Sequence, residues 1–464
     1  MDGNKKTFEK ENDELLNFIL ENRFFKPWRE HNAMDKHSLW HDTSLELYIT
    51  SACNLKCEYC YLQRHGEGLY PPEYRDPKKI LANMRILLEH CLKEGFQFKN
   101  VEMFSGEVWH TEFGFELLEL LLEYIQKGVR IVAMTIPTNC TFLLDETMMH
   151  RMQRMINRYK QAGTRLIISC SIEGKVLEDT TRPFQVGSQN AMRDDVFYDR
   201  LFTFAKHNDY LFHPMVASAN VKDWIENLKW WENMLGKYEI AGGHPVMMLE
   251  VRNGDWTDES IKDLLKYYDY QLDKLADYAG HDAKKLSRLI LKNEGESGYI
   301  NYSMPLAQDF PGCTVANTMT VRLGDLAIVP CHRTSYDKLV FGKFHVTDGQ
   351  IDGIVSNNPQ MAIRTLCGNQ NLVHHGCDIC PYAGVCMKGC YGAQYEYAGD
   401  PFMPAENVCK MFKAKYDHLI DRYEEFGVID EWRKVEKTDV FYRYINRLLE
   451  CIDKIQSARG VAKS

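Results

Sequence analysis

Three cysteines fall within eight residues in Cys53-Asn54-Leu55-Lys56-Cys57-Glu58-Tyr59-Cys60, a C-x3-C-x2-C spacing. Three thiolates can hold three irons of a [4Fe-4S] cube. No fourth cysteine lies nearby, so one iron is left open to an exogenous ligand, as a catalytic site requires and a closed zinc site does not. An amino acid chelating through its amine and carboxylate suits that open corner. A second group, Cys377, Cys380, Cys386 and Cys390, is followed by Cys409, with Cys313, Cys331 and Cys367 upstream. Thiolates at this density bind metal; similar pairs also build four-thiolate zinc sites, so zinc stays an alternative to iron-sulfur there.

The chain has 464 residues, 45% hydrophobic and 12% aromatic, enough for one large domain and a smaller one. A net charge of -9 and the lack of any block of consecutive Lys or Arg argue against nucleic acid as a partner. The charged start MDGNKKTFEKENDELLNF, with no run of about 18 uncharged apolar residues anywhere, argues against secretion and membrane spanning and points to the cytoplasm. Fifteen cysteines in such a chain are better explained by metal binding than by disulfides. Cys91, Cys140, Cys170 and Cys451 stand apart and are expected to be buried small hydrophobes.

From Leu45 to Val251, short β-rich runs alternate with longer amphipathic stretches, the pattern of parallel strands joined by crossover helices. Strands are expected at 45–50, 101–104, 129–135, 166–171, 212–217 and 245–251, and helices at 77–94, 113–127, 145–162, 197–206 and 224–237. The expected class is α/β: an N-terminal helical extension over 1–44, a partial (β/α)6 TIM-like barrel over 45–255, a helical connector over 256–300, a small cysteine-rich α+β domain over 301–416 and C-terminal helices over 417–464. In the cysteine-rich part, metal clusters would substitute for a missing core. In full and open barrels alike, function sits at the strand C-terminal ends. The cysteine loop, Ser105-Gly106-Glu107, Thr138-Asn139 and Ser171-Ile172-Glu173-Gly174 all fall there.

The first cysteine group, with aromatic Tyr59 before the last Cys, resembles the signature of the radical S-adenosylmethionine (SAM) superfamily. The resemblance implies a SAM-binding [4Fe-4S] cluster on Cys53, Cys57 and Cys60 that reductively cleaves SAM, giving a 5'-deoxyadenosyl radical that takes hydrogen from the substrate, and an electron donor of the flavodoxin or ferredoxin type. Ser105-Gly106-Glu107 resembles the superfamily's Gly-Gly-Glu-Pro segment, which meets the methionine amine, with Ser105 for the first Gly and Val108 for the Pro. Thr138-Asn139 resembles its Thr-Asn-Gly with Cys140 for the Gly, and Ser171-Ile172-Glu173-Gly174 its Ser-Ile-Asp-Gly, whose Ser approaches the ribose hydroxyls. Tyr59, Ser105, Gly106, Glu107, Asn139 and Ser171 are thereby implied as SAM contacts. The second group, preceded by Cys313, Gly324 and Cys331, is similar to the SPASM domain of peptide and protein maturases. That likeness implies two auxiliary [4Fe-4S] clusters, one on Cys377, Cys380, Cys386 and Cys409 and one on Cys313, Cys331 and Cys390. The latter is either open to substrate or closed by Cys367.

The same resemblance implies a peptide or small protein substrate, a ribosomal peptide that is crosslinked, oxidised or epimerised. Oxidation or rearrangement of a small metabolite is the alternative within the same chemistry, and a non-catalytic iron-sulfur electron carrier is the alternative outside it. About forty-four residues precede the first strand, half of what a winged-helix leader-recognition domain needs, so that domain is expected to be absent. Anaerobic sulfatase-maturating enzymes carry a catalytic Asp directly after the Cys matching Cys331, whereas His332 stands here, so sulfatase maturation is not expected. His332 is the candidate proton acceptor, beside a purely structural role.

Overall fold

Apolar residues at every second position of several short strands leave each strand with one dry face, and Leu45, Leu47, Val101, Met103, Met134, Ile136, Leu166 and Ile168 supply it. The structure, a computed structural model, describes residues 44–185, 193–240, 249–292, 318–356, 376–377, 379–386, 389–439 and 441–462. The expected N-terminal extension, Cys313 and Cys367 lie outside these residues. Strands β1 (Ser44–Tyr48), β2 (Gln97–Phe104), β3 (Arg130–Thr138), β4 (Arg165–Cys170) and β5 (Tyr210–Phe212) run parallel in that order. Their register pairs Glu46 with Glu102, Tyr48 with Phe104 and Glu102 with Thr135.

The crossover helices Pro77–Glu94, Glu112–Lys127, Glu146–Gln161 and Asp195–His207 start where a short polar side chain takes up a free amide. Asp76, Thr111, Asp145 and Asp194 accept from the backbone of Lys78, Gly114, Met148 and Phe197. Helix Pro77–Glu94 stops at Gly95, whose φ of 71° suits a residue without a Cβ. Together with Trp224–Lys237, these helices cover the apolar face of the sheet.

Two expected strands differ from the observed ones. Instead of one strand over 212–217, β5 ends at Phe212, and Met215–Val216 (β6) turns away to pair with Leu249–Glu250 (β7) in a separate two-stranded sheet. Pro214 lies at the break and has no N–H to continue the β4 ladder, after His213 has given its own to Cys170 O at 2.7 Å. Among the described residues the main sheet ends at β5 on this side and grows from its other edge. There β8 (Thr318–Arg322), from the cysteine-rich part of the chain, lies parallel to β1, and β9 (Ala327–Val329), β10 (Gly342–Thr347) and β11 (Gln350–Ser356) follow antiparallel. The result is an α/β architecture on one nine-stranded, largely parallel sheet.

The stretch after β7 forms two helices, Asp258–Ala279 and Ala283–Lys292, against which Glu406–Glu425 and Val428–Arg433 pack. Tyr442–Ala462 closes the described chain. Among the described residues no helix is long and apolar enough to cross a membrane.

The junction between the two parts of the sheet holds a buried cation. The Arg322 side chain has no solvent exposure; it donates to Asp325 at 2.8 and 2.9 Å, to Asp337 at 2.7 Å and to Ser335 O at 2.6 Å. Removing one partner of such a pair strands the other charges, so Arg322→Ala is expected to lower unfolding stability by about 3–5 kcal/mol. Chemical denaturation at neutral pH measures this.

Candidate active site

The loop after β1 carries Cys53, Cys57 and Cys60, all half-buried, and helix Tyr61–Leu69 begins directly after it. The loop is held as if it were an edge strand: Lys56 N–H donates to Pro183 O at 2.8 Å, Glu58 N–H to Thr181 O at 2.9 Å, and Gln185 N–H to Asn54 O at 3.0 Å. Its start is fixed by the end of β2, where Gly106 N–H donates to Thr50 O and Glu107 N–H to Ala52 O, each at 2.8 Å. A Cβ on Gly106 would sit 2.0 Å from Ala52 O, so only glycine allows this approach.

Glu107 points inward. Its carboxylate accepts from Asn139 N at 2.5 Å, Trp109 N at 3.1 Å and the Thr138 hydroxyl at 3.0 Å, so it ties the ends of β2 and β3 together. Burial, against these bonds, pushes its pKa up to about 7. Asn139 in turn reaches the cysteine loop: its amide nitrogen donates to Asn54 Oδ1 at 2.8 Å and lies 4.0 Å from Cys53 Sγ. Ser105 is buried, its hydroxyl without a partner among the described residues, and half-exposed Ser171 sits at the end of β4.

Cys140 and Cys170 correct the expectation of isolated hydrophobic thiols, because they form a disulfide across the ends of β3 and β4, with Cα atoms 6.2 Å apart. Cys140 takes the place where the resemblance has Gly and adopts φ 60°, a left-handed conformation that costs an L-residue about 1–2 kcal/mol. Its N–H is held by the Thr138 hydroxyl at 3.0 Å. Cys91 and Cys451 are buried free thiols, as expected.

Under the loop lies a network of buried charges that sequence reasoning missed, apart from Tyr59 and Glu173. The Tyr59 hydroxyl donates to Glu173, whose other oxygen accepts from Met215 N at 2.7 Å. Arg182 lies 3.6 Å from Glu173 and 3.4 Å from Glu178, and Arg193 lies 3.5 Å from Glu178. All four charged side chains are almost fully removed from solvent. Burial raises Glu173 to about 7 against the pull of Arg182. Tyr59 thus spends its hydroxyl on the protein.

The electrostatics of the three thiols bear on whether a cluster fits. Burial pushes Cys57 up to about 12, opposed chiefly by the Arg182 charge, and raises Cys53 and Cys60 as well. Cys53 feels the charges of both other thiols, so the three lie in one neighbourhood. Thiols in this state stay protonated at neutral pH unless a metal replaces the protons. Leu55 N–H, 3.4 Å from Cys53 Sγ, and the Arg182 guanidinium are suited to the negative charge a cluster on these sulfurs would bring. No three His, Cys, Asp or Glu among the described residues are gathered tightly enough for a single metal ion. Three thiols are a donor set that fits three irons of a [4Fe-4S] cluster.

Of the second group, Cys377, Cys380, Cys386, Cys390 and Cys409 line one cavity, together with Arg252, Phe412 and Lys413. Burial raises Cys409 to about 11, and the charges of Cys386, Cys377 and Cys380 add to it, so these four thiols share one neighbourhood. Cys390, on the same cavity, is also close enough to Arg333 for its charge to favour the guanidinium. Cys331 begins the turn that carries His332 and Arg333, with Sγ 3.3 Å from the Thr334 hydroxyl.

His332 stacks on Phe104, with ring centroids 3.7 Å apart, and its Nδ1 is 2.7 Å from Glu46 on β1. Burial alone would lower its pKa, but the Glu46 charge and hydrogen bond, with Glu102, raise it. Glu46 was open to discovery: it is the one acidic residue between Leu45 and Leu47 in an apolar strand. Arg333, on the same turn, lies over the Tyr61 ring at 4.8 Å and pairs with Glu396 at 2.6 Å. A cleft of about 280 Å³ lined by Tyr59, Tyr61, Arg333 and Glu396 opens beside these residues.

No family model matches this chain, and no curated protein matches it. Among solved structures, one described as native anSMEcpe with bound AdoMet is similar over 82% of this chain and 98% of that one, with a TM-score of 0.50 and 15% sequence identity. What the two chains share is the fold.

Two outcomes are expected. Glu107→Gln turns one acceptor oxygen into a donor facing a backbone N–H and should cost about 1–3 kcal/mol, read as a lower denaturation midpoint. Alkylating the unfolded chain without reductant should modify every cysteine peptide except those of Cys140 and Cys170, which appear only after reduction; mass spectrometry of the digest tells the two apart.

Proposed function

We propose that this protein is a radical SAM enzyme acting on a peptide or small protein, with one SAM-binding cluster on Cys53, Cys57 and Cys60 and auxiliary clusters on the second cysteine group. The observation that carries the reading is the set of three half-buried thiols on the loop after β1, near enough for the charges of Cys57 and Cys60 to act on Cys53. A fold shared with an AdoMet-bound protein supports it. Cys53, Cys57 and Cys60 would hold a cluster that would supply the electron for reductive cleavage of SAM.

The chain's own residues do the rest. Glu107 and the 181–185 segment hold the loop, so the sulfurs keep one orientation. The Ser105 and Ser171 hydroxyls stand at the strand ends, where the polar groups of SAM are expected. Arg182 offsets negative charge beneath Cys57. His332, its Nδ1 held by Glu46, presents Nε2 as the atom that exchanges a proton with substrate. The second group is read as follows: Cys377, Cys380, Cys386 and Cys409 hold one auxiliary cluster, and Cys331 and Cys390 contribute to the other, with Cys313 and the choice between substrate and Cys367 completing it. A flavodoxin or ferredoxin-type protein delivers the electrons, and the site of action is the cytoplasm.

Anaerobic reconstitution followed by dithionite and SAM tests this reading. The native protein should form 5'-deoxyadenosine, and Cys57→Ala should abolish it while lowering the iron content by about four atoms per chain. A native protein that carries iron yet forms no 5'-deoxyadenosine would be an electron carrier. With SAM cleavage in hand, a mass change in an added peptide separates a peptide substrate from a metabolite.

A further inference from the structure

Glu46, Glu102 and Thr320 occupy in-register positions on three adjacent strands, β1, β2 and β8, and so share one face of the sheet. This is the face opposite the dry rows of Leu45, Leu47, Val101, Met103 and Val321. Glu46 is buried and bound to His332 through Nδ1 and, at 3.1 Å, through its backbone N–H. Glu102 is half-buried and makes no hydrogen bond or ion pair among the described residues. Thr320 is fully buried, and its hydroxyl has no partner among the described residues. On the far side of Glu102, Thr135 has already given its hydroxyl to Asn100 at 3.0 Å.

Two carboxylates therefore face one imidazole, and of the two Glu46 is the one hydrogen-bonded to it. Burial and the Glu46 charge, against His332, push the Glu102 carboxyl up to about 7. A buried hydroxyl without a partner among the described residues is costly to keep unless a polar group fills the place, and the Glu102 carboxyl lies two strands away on the same face.

We propose that Glu46, Glu102 and Thr320 form a recognition site for a cationic group of the substrate, a primary ammonium or guanidinium such as the end of a Lys or Arg side chain. This assignment rests on the proposed radical SAM activity, because it names the substrate class of that site. The cation donates to both carboxylates and to the Thr320 oxygen. His332 borders the site through Glu46 and stacks on Phe104 at its upper edge, so a side chain anchored here lies alongside the candidate proton acceptor.

The test is binding to the reconstituted full-length protein without SAM or reductant, by ligand-observed NMR. The probes are butylammonium and butylguanidinium, with butanol and butyrate as controls. The cations should bind saturably in about the millimolar range and the controls should not. Glu102→Gln should weaken the cations about tenfold and Thr320→Val, which preserves shape, about threefold. Cations that bind no better than butanol, or that bind both variants as tightly as the native protein, overturn the site. Because binding is read without SAM cleavage, a protein that cleaves SAM but ignores cations loses only this assignment. A protein that binds cations but never cleaves SAM loses only the activity.

Discussion

A loop of eight residues has no intrinsic reason to keep three cysteines in one fixed arrangement, and this one does so because its backbone is held from outside. The decisive contact is the approach of Gly106 to Ala52, a distance that admits no side chain, followed by the bonds from Gly106 and Glu107 to Thr50 and Ala52. On the other side, residues 181–185 complete the backbone bonding of 54–58. Both clamps come from strand ends or from segments that follow them. The parallel sheet thus serves as a rigid rim, and the positions of the thiols depend on its register.

Holding the loop in this way brings buried charge with it. Arg182 is surrounded by Glu173, Glu178, Tyr59 and Cys57, all of which favour its cationic form and outweigh the cost of burial. Replacing such a network by apolar packing would commonly leave stability equal or higher. Its placement under Cys57 gives it a different use: a fixed positive charge close to sulfurs whose ionised form burial otherwise disfavours.

Local features were legible in the sequence and distant ones were not. Helices Pro77–Glu94 and Trp224–Lys237 fall on their expected boundaries; the first is framed by Asp76-Pro77 and Gly95, signals that act within a few residues. The C-x3-C-x2-C loop and the rim segments after β2, β3 and β4 were visible as spacing and turn chemistry. The pairing of β8 with β1 was not, because Thr318–Arg322 is short, ends in an Arg and finds its partner some 270 residues away. Arg182 gave little signal either, since beside Glu173 and Glu178 just upstream its partners Cys57 and Tyr59 come from a stretch more than 120 residues away. The disulfide joins positions 30 residues apart that only the β3–β4 register brings together. The split of the fifth strand could have been read at Pro214, where the missing N–H outweighs the β-rich residues on either side.

The two faces of the sheet follow different rules, and the difference locates the chemistry. Toward the helices Phe98, Val101 and Met103 of β2 and Ile131, Met134 and Ile136 of β3 are buried and apolar, and the alternation is regular from Val101 and Met134 onward. On the opposite face Glu102, Phe104, Thr135 and Pro137 remain partly exposed, and Glu46 and Thr320 introduce polarity that the pleat does not need. A sheet stabilised by packing alone would place Val or Ile at 46 and 102 and gain from both. Carboxylates at two adjacent in-register positions repel each other and weaken the pairing of β1 with β2. A stretch of chain where local preference is overruled in this way is where function is expected. Here it lies directly beneath His332 and the loop that carries the three thiols.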